Sequence, residues 1–234
     1  MSRLRQCAIL VGGSGSRLGS LTRDVPKPML PVAGRPFLQH LLDKAHRHGF
    51  ESVLLLAGFR ADVIQDYVAS LGPEDHHGLK ISVSVEPAPL GTAGALAQAR
   101  DQLEETFLLV NGDTWFDFDW SALTTSEPWP ATLALRQIPL ADRYETILLA
   151  DEQVTAFQPR GLAPTLPGLI NGGAYRLQRA IIPTAIAPLS LETDILPDLC
   201  RAGQLGGRVF DGDFIDIGVP ESYADAQSLL ARRS

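Results

Sequence analysis

Gln6-Cys7-Ala8-Ile9-Leu10-Val11 followed by Gly12-Gly13-Ser14-Gly15-Ser16-Arg17 is a short apolar run that empties into a glycine-rich loop, as a buried strand does at its carboxyl end. Outward from it the pattern alternates. Residues 36–48 carry Phe37, Leu38, Leu41, Leu42 and Ala45 at helical spacing, with Pro36 suited to the first turn and Gly49 to the stop. Residues 52–57 form an apolar run of strand length, 61–71 return to helical spacing, and Ile81, Val83 and Val85 alternate with serines as in a half-buried strand. A helix over 94–105 and a strand over 107–110 complete this half. Strands alternating with helices call for a mostly parallel sheet covered on both faces, because parallel neighbours need crossover connections.

In such sheets ligands gather at the carboxyl ends of the strands. The Gly12 loop and Asn111-Gly112-Asp113 both fall there, on one rim. From 131 to 175 the pattern changes to short strand-like runs broken by Pro and Gly, which predicts a small antiparallel lobe on the substrate side. A helix over 191–201, extended runs near 208–210 and 214–217, and a helix over 221–232 close the domain. No linker or internal repeat interrupts the 234 residues, so the reading is a single α/β domain over 1–234.

The loop has a chemistry of its own. Gly12, Gly13 and Gly15 with Ser14 and Ser16 offer backbone N–H groups that no side chain screens, and Arg17 adds a guanidinium, the combination a polyphosphate needs. A flexible surface turn would not require a buried strand before it. Nor is this a Walker loop or a dinucleotide fingerprint: the lysine comes ten residues after Arg17, in Pro26-Lys27-Pro28, and the prolines break any helix there. Lysine is scarce in this chain. Only Lys27, Lys44 and Lys80 occur among twenty basic residues, which singles out a proline-clamped one. A net charge of -7 argues against nucleic-acid or membrane-surface binding. Cys7 and Cys200 lie far apart with no metal or redox spacing, no signal-peptide core or membrane-spanning run is present, and a cytoplasmic setting is expected.

Five motifs in order, Gly12-Gly13-Ser14-Gly15-Ser16-Arg17-Leu18 with Pro26-Lys27-Pro28, Pro89-Leu90-Gly91-Thr92-Ala93-Gly94, Asn111-Gly112-Asp113, Asn171-Gly172-Gly173 and Asp216-Ile217-Gly218-Val219-Pro220, resemble the sugar-1-phosphate nucleotidyltransferases over nearly the whole chain. The resemblance implies a Rossmann-like nucleotidyltransferase fold, with residues 1 to about 125 on the nucleotide side and about 126 to 234 on the sugar-phosphate side. It also implies a reaction that joins a nucleoside triphosphate to a sugar 1-phosphate and releases pyrophosphate.

The residues fit that chemistry. The nucleophile is a phosphate oxygen already ionised, so cations and N–H groups are needed and no triad is. Arg17 and the loop amides suit the triphosphate, and Lys27 the reacting phosphates. By resemblance Asp113 and Asp216 hold Mg²⁺, which takes a few carboxylates plus phosphate oxygens and water. Asp113 is also suited to a turn, Asp216 to a cap, and Asp211 and Asp213 crowd Asp216, so the identity of the second acid stays open.

Gly91 and Thr92 match positions where the family's chain passes the base and ribose. Glu86 ends a strand nearby; an acceptor-only carboxylate suits the donors of guanine, as a solvated Glu equally suits a strand end. Asn111, Asn171, Gly172, Gly173 and Glu192 match sugar-contacting segments, although Ser190 and Glu192 also read as a helix cap and first turn. Within the family the chain most resembles the short heptose 1-phosphate guanylyltransferases, which favours GTP and D-glycero-α-D-manno-heptose 1-phosphate as partners. Mannose 1-phosphate guanylyltransferase, N-acetylmuramate 1-phosphate uridylyltransferase and a silent sugar-nucleotide-binding subunit are the alternatives; oligomeric state is left open. One departure is visible: Gln158-Pro159-Arg160 stands where relatives carry Glu-Lys, making Arg160 the candidate for the sugar phosphate. The five histidines, His40, His46, His48, His76 and His77, read as surface or helix-end residues.

Overall fold

A computed structural model of the chain describes residues 3–124, 128–139, 144–161 and 167–232. In chain order the elements are β1 (Gln6–Leu10), β2 (Pro31–Val32), β3 (Arg35–Pro36), α1 (Phe37–Arg47), β4 (Ser52–Ala57), α2 (Ala61–Ser70), α3 (Pro73–His76), β5 (Lys80–Val85) and α4 (Gly91–Gln98). There follow β6 (Thr106–Asn111), β7 (Thr114–Phe116), β8 (Ala131–Ile138), β9 (Thr146–Ala150), β10 (Gln153–Gln158), β11 (Gly168–Gln178), α5 (Leu196–Arg201), β12 (Leu205–Val209), β13 (Phe214–Asp216) and α6 (Pro220–Ala231).

Among the described residues nine strands form one sheet in the order β5-β4-β1-β6-β11-β8-β12-β10-β9. The strands β5, β4, β1 and β6 are mutually parallel, as the alternating pattern predicts. From β11 onward the pairing changes: β11 runs antiparallel to both β6 and β8, and β10 to both β12 and β9. The antiparallel strands expected on the substrate side therefore continue the parallel sheet, and both halves of the chain open onto one rim.

The period-two alternation of the strands divides the core. Cys7, Ile9, Val53, Leu55, Leu108 and Val110 face α1, α2 and α6, whereas Ala8, Leu54, Leu56, Phe107 and Leu109 face α4 and α5. Burial on both faces explains why these strands read as unbroken apolar runs. No described helix is long and apolar enough to cross a membrane.

Three local features depart from the sequence pattern. The helix expected over 94–105 starts earlier and ends at Gln98, followed by a 3₁₀ turn over Arg100–Gln102. The buried Gln6 side chain ends it, donating to the Gln102 carbonyl at 2.8 Å and accepting from the Glu104 N–H at 2.8 Å, which steers the chain into β6. His40 is not a surface residue: it is 4% exposed, with Nε2 at 2.8 Å from the Val32 carbonyl and Nδ1 at 3.3 Å from the Arg35 guanidinium. Its place on the face of α1 beneath the β2–β3 hairpin buries it, and burial lowers its pKa.

Lys44 is the third. It is 1% exposed, donates to the Phe116 carbonyl, and lies over the rings of Trp115, Phe118 and Trp120 at 4.7, 5.5 and 5.0 Å. Three aromatic faces and a carbonyl take the place of water around the ammonium. The contact ties α1 to β7. Lys44→Met keeps the volume but removes the cation from three aromatic faces and one of two hydrogen bonds to the Phe116 carbonyl, which keeps the Phe118 N–H at 3.1 Å, a loss of about 2 kcal/mol. For a chain of this size the thermal midpoint is expected to fall by about 4–8 °C; a calorimetric scan matching the parent would show that the cation does not hold this corner.

Candidate active site

The glycine loop is shaped by its neighbours. Val11 donates to the Leu56 carbonyl at 2.9 Å, Phe59 to the Gly12 carbonyl at 3.0 Å, and Gly112 to the Leu10 carbonyl at 2.9 Å, so the ends of β1, β4 and β6 converge. At Gly12 an added Cβ would lie 2.8 Å from Glu86 Oε1 and 2.9 Å from the Gly58 nitrogen, which leaves room for glycine only. Gly13 and Ser14 are exposed beyond it. Gly15, at φ 64°, turns the chain into a 3₁₀ segment, Ser16–Thr22, that carries Arg17 on its exposed side.

Two clefts meet at this rim. The larger, about 540 Å³, lies between the loop and the ends of β4 and β5, with Gly12, Gly13, Ser14, Glu86, Gly91 and Thr92 in its wall. The smaller, about 190 Å³, holds Lys27, Asn111, Asp113 and Glu192. Leu10, Gly13 and Thr92 line both, so the clefts are contiguous.

In the larger cleft Glu86 stands at the end of β5. Its Oε2 accepts from the Leu90 N–H at 2.7 Å. Burial pushes its carboxyl above the ordinary carboxylate range, an effect that the Leu90 N–H partly offsets.

Lys27 opens the 3₁₀ turn Lys27–Met29 and is 8% exposed, with its ammonium 2.7 Å from Asp113 Oδ2. The prolines on either side fix the backbone that aims it. Asp113 sits in the turn between β6 and β7; its Oδ1 accepts from the Thr114 hydroxyl at 3.2 Å and its carbonyl from Ile217 N at 2.8 Å. The short antiparallel pair β7–β13 sets Asp216 opposite Thr114, one residue from Asp113. Asp216 accepts from Gly218 N at 3.0 Å and from the Tyr144 hydroxyl at 2.8 Å. A Cβ at Gly218 would lie 2.7 Å from Asp216 Oδ1 and 3.4 Å from the Arg17 guanidinium, so Arg17 and Asp216 flank one glycine. Of the crowded acids, Asp211 points to solvent in an ion pair with Arg136 at 3.2 Å and Asp213 is exposed. Asp216 is the one held at the rim. Among the described residues no three His, Cys, Asp or Glu side chains converge as a preformed metal centre.

The far wall comes from β11. A bulge between Asn171 and Tyr175 is built on Gly172, whose Cβ would strike the Phe116 ring at 2.6 Å, and on Gly173, at φ 71°, whose Cβ would lie 3.0 Å from Asn111 Nδ2. Asn171 accepts from Gly173 N at 3.0 Å and donates to the Tyr175 hydroxyl at 2.8 Å. Asn111 Oδ1 is buried without a hydrogen-bond partner beside the smaller cleft. Tyr175 is fully buried, and burial, with the Glu192 and Asp113 charges, holds its hydroxyl protonated by raising its pKa. Arg160 stands apart, exposed just beyond β10 and outside the lining of both clefts; burial raises the pKa of Glu145, an effect that the Arg160 charge only partly offsets.

Tyr144 and Tyr175 have no signature in the sequence, because an isolated tyrosine reads as core when it lies in a strand, as Tyr175 does in β11, or as surface when it lies in a loop, as Tyr144 does before β9. Gly218 could have been found: it follows Asp216 in a motif already singled out, and its lack of a side chain is what admits both Asp216 and Arg17.

The fold and the rim together define an α/β protein that brings a glycine-rich loop and a buried lysine paired with an aspartate to the junction of two ligand-sized clefts. The chain belongs to the nucleotidyl transferase family, whose family model matches residues 7–233. It is similar to the D-glycero-alpha-D-manno-heptose 1-phosphate guanylyltransferase of Aneurinibacillus thermoaerophilus, at 35% identity over 96% of this chain and 98% of that protein. The enzyme of the same name from Campylobacter jejuni is 36% identical, over 93% of this chain and 96% of its own. The crystal structure of HddC from Yersinia pseudotuberculosis complexed with GMP-PN has a TM-score of 0.85 at 31% identity, covering 97% of this chain and all of that one.

Gly12→Ala tests the loop. The new methyl must displace Glu86 or the Gly58 backbone, a strain of about 1–3 kcal/mol, so nucleoside triphosphate affinity by calorimetry is expected to fall about tenfold or more. Binding equal to the parent would show that the loop yields and does not wall the site.

Proposed function

We propose that this chain transfers GMP from GTP to D-glycero-α-D-manno-heptose 1-phosphate, releasing pyrophosphate and forming a GDP-heptose for surface-glycan biosynthesis. The observation that carries the reading is the meeting of the two clefts along Leu10, Gly13 and Thr92, with an acceptor-only carboxylate in the larger and, in the smaller, Lys27 paired with Asp113 beside an orphan amide oxygen. The similarity to the heptose 1-phosphate guanylyltransferases supports the choice of substrates.

In this reading the two parts of the single domain divide the work, residues 1 to about 125 holding the nucleotide and the remainder the sugar phosphate. The amides of Gly12, Gly13, Ser14, Gly15 and Ser16 and the Arg17 guanidinium hold the triphosphate. Glu86 accepts from the two donors on the Watson–Crick edge of guanine, an arrangement that a pyrimidine cannot satisfy, and Gly91 and Thr92 border the ribose. Asn111, Asn171, Gly172, Gly173 and Glu192 form the sugar side; Arg160, exposed and outside both clefts, remains the candidate cation for the sugar phosphate on resemblance alone. The orphan Oδ1 of Asn111 suits a sugar hydroxyl, which donates the missing hydrogen bond.

The chemistry is a displacement at the α-phosphorus. An ionised oxygen of the sugar 1-phosphate forms the new P–O bond, the bond to the bridging oxygen breaks, and pyrophosphate leaves with that electron pair. No proton needs to be removed from the nucleophile, so the site supplies orientation and positive charge. Lys27 is poised to exchange Asp113 for a phosphate oxygen. Asp113, in the turn before β7, and Asp216, at the end of the β13 strand paired with β7, are hard oxygen donors that would hold Mg²⁺ together with phosphate oxygens and water. When bound, the ion neutralises charge on the phosphates.

The test is pyrophosphate release by the purified protein in Mg²⁺ with each NTP against each sugar 1-phosphate. Release with GTP and heptose 1-phosphate is expected. Release with UTP and not GTP would overturn the guanylyl assignment, a preference for mannose 1-phosphate the sugar, and silence with every pair the enzyme itself. Asp113→Asn is expected to lower turnover by about 100-fold or more; wild-type rates would remove Asp113 from the site.

The pH dependence follows from Glu86. Its ionised form is the acceptor, and burial raises its pKa above the ordinary value of 4.5. GTP affinity is therefore expected to weaken on acidification while exposed carboxylates are still ionised, and Glu86→Gln to lose this pH dependence together with guanine affinity. Calorimetric titrations across the acid range, in parallel on both proteins, read the difference.

A further inference from the structure

Thr92 lies on the boundary between the two clefts, and its hydroxyl is turned away from the nucleotide side. The oxygen accepts from the Leu191 N–H at 2.7 Å, an amide that can only donate. Its single proton is therefore free for an acceptor, and it goes to Glu192 Oε2 at 2.6 Å, a charge-assisted bond across 100 residues of sequence. The Ser190 hydroxyl gives a second bond to the same oxygen at 3.1 Å. Among the described residues no hydrogen bond reaches Oε1. The carboxylate is thus clamped through one oxygen and leaves the other for a ligand in the smaller cleft.

The backbone around this contact forms a latch. Leu189 donates to the Leu90 carbonyl at 2.8 Å, and its own carbonyl accepts from Ala93 N at 2.9 Å and Gly94 N at 3.1 Å. Amides in the first turn of α4 are consumed by Leu189 and are not open to a phosphate. The approach is close enough to exclude side chains: a Cβ at Gly91 would lie 2.6 Å from the Leu189 oxygen, and one at Gly94 2.5 Å from the Ala187 oxygen. The start of α4, which walls the nucleotide cleft, and the segment that carries Glu192 therefore form one mechanical unit.

We infer that Thr92 is a positioning residue for the sugar 1-phosphate, acting through Glu192, and that its hydroxyl rather than its border with the nucleotide cleft is what the reaction uses. This rests on the reading of Glu192 as an acceptor for sugar hydroxyls. Removing the hydroxyl leaves Glu192 Oε2 with only the 3.1 Å bond from Ser190 and loosens the pre-organised acceptor, whereas the nucleotide keeps Glu86 and the glycine loop.

The experiment is steady-state kinetics of Thr92→Val and Thr92→Ser, each substrate varied with the other saturating. For Thr92→Val the KM for the sugar 1-phosphate is expected to rise about tenfold, the loss of one charge-assisted hydrogen bond, with the GTP KM and calorimetric GTP affinity within twofold of wild type. Thr92→Ser, which keeps the hydroxyl, is expected to restore the sugar KM. In the Glu192→Gln background, Thr92→Val is expected to cost less than in wild type, because the bond it removes is already weakened. A rise in the GTP KM alone, an equal rise in both KM values, or failure of serine to rescue would overturn the inference. Should the fold not survive valine, Thr92→Ala and Thr92→Ser give the same comparison. The split is read with whichever NTP and sugar 1-phosphate the wild-type protein uses, so an error in substrate identity stays separate; a wild-type protein that turns over no pair overturns both.

Discussion

The ion pair of Lys27 with Asp113 is the constraint around which the rim is organised. An ammonium that is 8% exposed cannot stand unpaired at such a depth without a large desolvation cost, and Asp113 answers it at 2.7 Å. Holding these two groups together requires the proline-clamped turn after the glycine loop, the β6–β7 turn, and the β13 strand that bonds to the Asp113 backbone. The pair is also a reservoir. A chain with net charge of -7 offers no overall attraction to phosphates, so positive charge must be local, and in Lys27 it is stored against a carboxylate that suits a cation in its turn.

The same physics recurs at the second buried lysine. Lys44 anchors the end of β7 from α1 through aromatic faces and one carbonyl, and β7 pairs with β13, which carries Asp216. A helix on one face of the sheet thereby fixes the strand pair that carries one rim aspartate and adjoins the other. On the opposite face, α4 is latched to the segment that carries Glu192. The two cores separated by the sheet each stiffen one side of the site, which is how a rim built of turns and short strands keeps its geometry.

Much of this architecture was legible in residue order. Buried parallel strands must be continuous apolar runs, so β1, β4 and β6 could be read directly, and glycine and proline punctuation located the Gly12 loop and the Lys27 turn, whereas Asn171-Gly172-Gly173 was marked only by resemblance and its bulge came with the structure. Less legible were features whose cause lies elsewhere in the chain. His40 occupies a helical position with polar neighbours; only the β2–β3 hairpin folded over it makes it a core residue. Asp211, Asp213 and Asp216 are equivalent in spacing, and only the register of β13 against β7 turns one of them to the rim. The antiparallel strands could be predicted singly, but their continuity with the parallel sheet follows from β11 inserting between β6 and β8.

The sequence by itself determined the class of fold, the rim on which the clefts open and the residue types gathered there, because periodicity and turn chemistry are local and each residue carries its own donors and charges. Tertiary structure decided which of those donors face one another. Thr92 and Glu192 stand 100 residues apart, and a hydroxyl in a motif that resembles part of a nucleotide site is committed to a carboxylate in the smaller cleft. Such pairing depends on backbone approaches so close that a Cβ at Gly91 or Gly94 would lie 2.6 or 2.5 Å from a carbonyl oxygen, set by the packing of whole elements. No local pattern encodes that distance.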